Sequence, residues 1–331
     1  MQYLTGKVIS QNGLGLAGFT NLSPQIPDEQ AFKVLKAALT AGVTLWNAAD
    51  FYGPPEATSL HLMNRYFTAY PEDADKVVLC VKSGVRQMST FLMDCSAPAL
   101  RDFVDNALKI LDGKKKIDIF GCARVDPAVP VEESIRALAK LKMEGKIGGI
   151  QLSEVKADTI RRAAVVEKID MVEAEISLWA TDVFKNGVAE VCAELGIVLV
   201  AHSPLAGGML TGKIKSLDDM SPNDHHRRFP RWHPENFAKN MLLVEALERF
   251  AEQKGCTMPQ LALTWIKIQS GKPAMPYIVP IAGTKSEARL QDNLHGVDLT
   301  DEDLEELDAV LEKHPVVGAR YPPGGAKLAE Y

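Results

Sequence analysis

Cysteine is scarce in this chain, with five among 331 residues (Cys80, Cys95, Cys122, Cys192 and Cys256) and no CxxC pair. An odd count without ligand or redox spacing argues against a disulfide-stapled secreted scaffold and fits reduced thiols packed as small apolar groups. Basic charge is also short: 37 Lys plus Arg against 43 Asp plus Glu leave a net charge of −6, and no long basic run offers a footprint for nucleic acid. Apolar runs such as 197–201 fall far below the roughly 20 residues that a bilayer span needs. The segment 1–10 lacks the apolar core of a signal peptide, so an intracellular protein, cytoplasmic or nuclear, is expected. No Pro/Gly/Ser stretch is long enough to separate two domains.

What the chain does have is a recurring unit of roughly 30 to 40 residues: a β-branched run, a polar turn, then an amphipathic helix. Strands are expected at 43–47, 77–82, 117–123, 147–152, 171–177, 197–202 and 277–282, each nearly continuous in apolar residues, as strands covered on both faces must be. Helices are expected at 28–40 (ended by Gly42), after Ser96 as a cap (ended by Gly113), and at 131–144. With a first strand in 13–20 the count is eight, which predicts one α/β domain over 1–331, a (β/α)8 TIM barrel. Two segments break the rhythm. A long polar loop, 205–237, carries His225, His226, Arg227, Arg228, Arg231 and His233, and 315–331 is a Pro/Gly-rich tail. A loop after a barrel strand lies on the active face, so 205–237 is read as a flap over a ligand.

Three motifs are set aside. Gly13, Gly15 and Gly18 fit G-x-G-x-x-G, but the prolines at 24 and 27 forbid the helix that a Rossmann turn opens into. Residues 207–213 match part of a phosphate loop, yet Ile214 offers no hydroxyl for magnesium. The histidines lack ligand spacing, so no metal is expected. The chemistry is expected at the strand ends. The run 43–53 closes a strand with Asn47, Asp50 and Tyr52, and the next strand ends in Lys82; adjacent strands would bring Tyr52 and Lys82 together at the barrel mouth. A buried ammonium beside a phenol favours phenolate and makes the hydroxyl a usable general acid. A core tyrosine with a rim lysine is the alternative from spacing alone.

Gly13-Leu14-Gly15, 46–53, Val81-Lys82-Ser83, 117–127, His202-Ser203-Pro204-Leu205 and 280–294 together resemble the aldo-keto reductases, barrels that use a nicotinamide cofactor without a Rossmann domain. Within that family the chain is most similar to a fungal branch that reduces pyridoxal to pyridoxine, a step of vitamin B6 metabolism, with NADPH. The resemblance implies Tyr52 as proton donor and Lys82 as its partner, with Asn47 where the family usually has an Asp paired to the lysine and Ala123 where it usually has His. On the cofactor side it implies Ser153, Glu154 and Glu173 at the nicotinamide carboxamide and His202 in place of the stacking tyrosine. Lys285, Ser286 and Arg289 would meet the 2′-phosphate of NADP, Asp292 and Asn293 the adenine, and Ser203, Leu205, Gly283 and Thr284 complete the expected contacts. Asn47 is expected to hydrogen-bond Lys82 without supplying countercharge, and Asp50 is an alternative carboxylate. The implied partner is a small aldehyde such as pyridoxal. A general aldehyde reductase, or an NADPH-binding regulatory subunit resembling potassium-channel β-subunits, remain the alternatives.

Overall fold

The computed structural model describes residues 2–21, 25–88, 90–222 and 224–329. Eight parallel strands close into a barrel: β1 (Gly13–Gly15), β2 (Leu45–Ala49), β3 (Val78–Ser83), β4 (Ile117–Cys122), β5 (Ile147–Ser153), β6 (Met171–Glu175), β7 (Val198–His202) and β8 (Ile278–Ala282). Each strand pairs with its neighbours in the chain, and β8 returns to β1 through Ile281 opposite Gly13 and Ala282 opposite Leu14. The expected strands are present within two residues at each end, and the first expected helix is Asp28–Thr40. Ser96 does stand at the start of the helix Ala97–Leu111, but its hydroxyl donates to Asp94 instead of capping.

β1 is the exception: only three residues pair, and Ala17–Thr20 forms a helical turn in place of more strand. Its glycines allow close packing, since a Cβ on Gly15 would lie 2.9 Å from the Ile281 carbonyl oxygen.

The period-2 alternation of strand side chains sorts the barrel into layers. Outward residues such as Trp46, Leu79, Val81, Phe120, Val172 and Leu199 pack under the helices. Inward residues Leu45, Val78, Cys80, Ile119, Met171, Val198 and Val279 fill the interior, and Leu4 and Ile9 of the hairpin Gln2–Leu4/Lys7–Ile9 join them. One step further along three strands, the same alternation turns Asn47, Lys82 and Glu173 inward above this apolar floor. No helix among the described residues is long and apolar enough to cross a membrane.

The segment 205–237 is less open than a polar loop. It runs through short 3-10 turns, Ala206–Thr211, Leu217–Asp219, His225–Arg228 and Pro230–Trp232, and buries Met209, Leu210, Met220 and Trp232. Its start lies over the barrel mouth, where Leu205, Gly207, Gly208 and Thr211 border a cavity.

Candidate active site

Tyr52 reaches the mouth on a loop fastened by its backbone. Its carbonyl accepts from Thr20 Oγ1 at 2.8 Å and from the Ser59 amide at 2.9 Å, and Ser59 Oγ donates to the Ala49 carbonyl at 2.8 Å. Gly53 follows at φ +107, where a Cβ would stand 2.7 Å from the Ala57 carbonyl, so the tyrosine requires a glycine after it. Lys82 is opposite Ala49 in the β2–β3 ladder, and its Nζ lies 5.4 Å from the centroid of the Tyr52 ring. Adjacent strands thus bring the pair together.

The lysine's carboxylate partner is not the one expected. Lys82 Nζ donates to Glu173 Oε1, and Asn47 Nδ2 donates to Glu173 Oε2 at 2.7 Å. Asn47 therefore meets Lys82 through Glu173, and both carboxylate oxygens of Glu173 are engaged. Burial disfavours the Lys82 ammonium, but the charges of Glu173 and Tyr52 prevail and hold it above the ordinary lysine range. Glu173 is pushed up by burial and brought below the carboxylate range by Lys82, His202 and Asn47. Asp50, the alternative carboxylate, accepts from Ser83 Oγ. Burial raises its pKa to about 6, against the pull of the Ser83 hydroxyl and of its own backbone amide. Ala123 packs with Met93 and Cys95 beside Phe51 and Phe91, which leaves an apolar wall where the resemblance implied an imidazole.

A cavity of about 450 Å³ joins Asn47, Tyr52, Lys82 and Glu173 to His202, Ser203, Leu205 and Gly283. Ser153 is paired in register with Glu173 and so faces the same interior, where its Oγ is buried and makes no hydrogen bond among the described residues. The other implied cofactor residues lie beyond the lining. Thr284 Oγ1 accepts from the Ser286 amide at 3.2 Å, Lys285 and Ser286 border a neighbouring surface cleft, and Arg289 is exposed on the first turn of the helix Glu287–Leu294. Asp292 accepts from Gln260 Nε2 at 2.7 Å, and Asn293 is buried.

His202 Nε2 donates to Glu154 Oε1 at 2.7 Å and its Nδ1 lies 3.1 Å from Ser203 Oγ, so the imidazole is fixed at both nitrogens. Glu154 and Ser203 hold left-handed φ values of 55° and 49°, the kind of backbone strain that collects at strand ends bearing function.

Several residues at the mouth were not found from sequence. Arg124 borders the cavity, donates to the Tyr321 hydroxyl at 3.1 Å and lies with its guanidinium 5.8 Å from the Phe91 ring centroid. Arg320, from the tail, pairs with Glu154 and with Glu175 Oε2, the latter at 2.8 Å. A cationic and aromatic pair inside a Pro/Gly-rich tail was the only available signal. In the flap, Asp224, His225 and His226 bring one ligand atom each within 4.8 Å of one another, although Asp224 already accepts from His226 Nδ1 at 2.7 Å.

Residues 13–312 match the model of the Aldo/keto reductase family. A protein of Schizosaccharomyces pombe named "Probable pyridoxal reductase 2" is 39% identical over 97% of each chain. The aldo-keto reductase str7 of Strobilurus tenacellus is 32% identical over 98% of this chain and 95% of that one. Among solved structures, the glycerol dehydrogenase AKR11B4 of Gluconobacter oxydans superposes with a TM-score of 0.80 over 95% of this chain and 94% of its own, at 22% identity, a likeness of fold. Since the match spans the barrel from its first strand past its last and two relatives align along nearly their whole length, this chain is an oxidoreductase and belongs to the aldo/keto reductase family.

Proposed function

We propose that the chain is an NADPH-dependent aldehyde reductase whose substrate is pyridoxal, reduced to pyridoxine. The observation that carries the reading is the Tyr52–Lys82 pair on the wall of the cavity at the barrel mouth. The relative named as a probable pyridoxal reductase supports the choice of substrate.

The residues fit a nicotinamide coenzyme. Ser153 Oγ is buried at the end of β5 without a partner among the described residues, as a contact awaiting a carboxamide would be. Gly15 and Gly283 present backbone alone to the cavity wall, which a planar group can approach closely. The coenzyme, when bound, supplies the hydride for the aldehyde carbon. The chain supplies the proton: Tyr52 Oη gives it to the carbonyl oxygen, and the Lys82 ammonium stabilises the phenolate left behind. Ala123 donates nothing to that oxygen. Pyridoxal carries a hydroxyl next to its aldehyde and can polarise its own carbonyl, which makes it a substrate suited to this wall.

NADPH oxidation with pyridoxal against a neutral aromatic aldehyde tests the reading. A kcat/KM preference for pyridoxal of about tenfold or more is expected, in the range that a few pocket contacts provide. Equal values would make the chain a general aldehyde reductase. Tight NADPH binding with negligible turnover on both would make it a regulatory subunit.

Cofactor choice has its own test. Lys285 and Arg289 stand before and within the first turn of Glu287–Leu294, where cations and backbone amides suit a phosphate. Each charge-assisted contact is worth about 1.5–3 kcal/mol. Lys285→Ala with Arg289→Ala should therefore weaken NADPH roughly 100-fold or more while NADH changes little. Equal losses in direct binding titrations would make the pair structural.

A further inference from the structure

Lys82 is a cation with almost no access to solvent, in a layer that rests on an apolar floor. An ion so placed needs a partner of opposite charge. The partner comes from across the barrel: Glu173 belongs to β6, four strands from β2 and three from β3, and its carboxylate spans the interior to Lys82. Asn47, on β2, donates to the second oxygen. We propose that Glu173 is the positioning residue of the proton-transfer pair, holding the Lys82 ammonium against Tyr52 from the opposite wall while Asn47 fixes the carboxylate. The proposal rests on Tyr52 being the proton donor.

One physical reason then explains two residues. A carboxylate at position 47 would stand 2.7 Å from Glu173, and two anions would compete for one lysine. An amide in that place donates to Glu173 and adds no charge, so asparagine at 47 is what glutamate at 173 requires. Without Glu173, burial weighs against the Lys82 ammonium with only Tyr52 left to oppose it, and the lysine gives up its proton at a lower pH. A neutral amine cannot stabilise a phenolate.

Among the described residues, the charged and titratable groups near the pair are Tyr52 and Asp50 after β2, Cys80 one layer below on β3, Glu173 on β6, and His202, which acts on Glu173 from the end of β7. The test reads the lysine directly. In protein labelled at lysine 13Cε, the Lys82 resonance of the parent should stay that of an ammonium to above pH 10. In Glu173→Gln it should become that of an amine at a pH lower by at least about one unit, with kcat down by about 10- to 100-fold and the KM for NADPH within about threefold. The exchange Asn47→Asp with Glu173→Gln returns the charge one hydrogen bond away. It should restore both the ammonium signal and kcat to within about tenfold of the parent.

An unchanged Lys82 titration in Glu173→Gln, or a folded exchange variant as impaired as the single one, overturns the proposal. If the single variant does not fold, recovery of folding by the exchange supports the charge pairing, and failure of both overturns it. A parent without turnover on any aldehyde sinks the reductase reading instead, while the lysine titration still decides whether Glu173 holds the ammonium.

Discussion

Tyr52→Phe should cut kcat by about 10²- to 10⁴-fold, the contribution of a positioned general acid, and leave the fold and NADPH binding nearly intact. The variant is clean because the bonds that shape the loop belong to the Tyr52 backbone: its carbonyl accepts from Thr20 and from the Ser59 amide. The ring persists, so the edge contact with Phe51 at 5.2 Å and the approach of Lys82 to the ring face survive. What goes is one hydroxyl. Turnover within tenfold of the parent, at equal melting temperature and NADPH affinity, would remove Tyr52 from the mechanism. A large loss of NADPH affinity would instead make the tyrosine a binding residue.

The pairing of Tyr52 with Lys82 was legible in the sequence for a simple reason. Strands buried on both faces advertise themselves as apolar runs, and a lysine or tyrosine at the end of such a run has only the barrel mouth to occupy. The same logic located seven of the strands. It overextended the first, because the segment around Gly13, Leu14 and Gly15 has little β-branched signal and its three paired residues depend on glycines packed against β8.

What sequence could not supply was pairing across the interior. Glu173 and Lys82 are 91 residues apart, Asn47 and Glu173 are 126 apart, and they meet only because strand alternation turns all three inward at one level. Reading Asn47 alone, as a lost carboxylate, misses that the charge stands on another strand. The tail was opaque for a different reason: Arg320 lies in no periodic element, and its partners Glu154 and Glu175 are 166 and 145 residues away.

That tail contact carries the second large expectation. Arg320→Ala should destabilise the protein by about 3–5 kcal/mol at neutral pH, because removing one member of a buried ion cluster leaves Glu154 and Glu175 short of the countercharge that Arg320 shares between them. The side chains of Arg320 and Glu154 are 7% and 0% exposed, so water cannot take over the lost contact. Burial pushes the Glu154 carboxyl up, yet His202, Arg124 and Arg320 together hold it well below the carboxylate range. A carboxyl depressed in the folded state contributes stability above its unfolded pKa, about 4.3, and loses that contribution as pH falls through the folded value. Removing Arg320 raises the folded value and so removes part of a contribution that exists only above that window. The deficit of the variant should therefore be largest near pH 7 and shrink as the pH approaches 3, which urea unfolding midpoints at several pH values would show. Because Arg320 ties the tail to the ends of β5 and β6, the tail should also become accessible to carboxypeptidase in the variant. A deficit below about 1 kcal/mol, or one equal at both ends of the pH range, would show that the guanidinium does not hold these carboxylates, and the tail would owe its place to Tyr321 against Arg124 and Phe229.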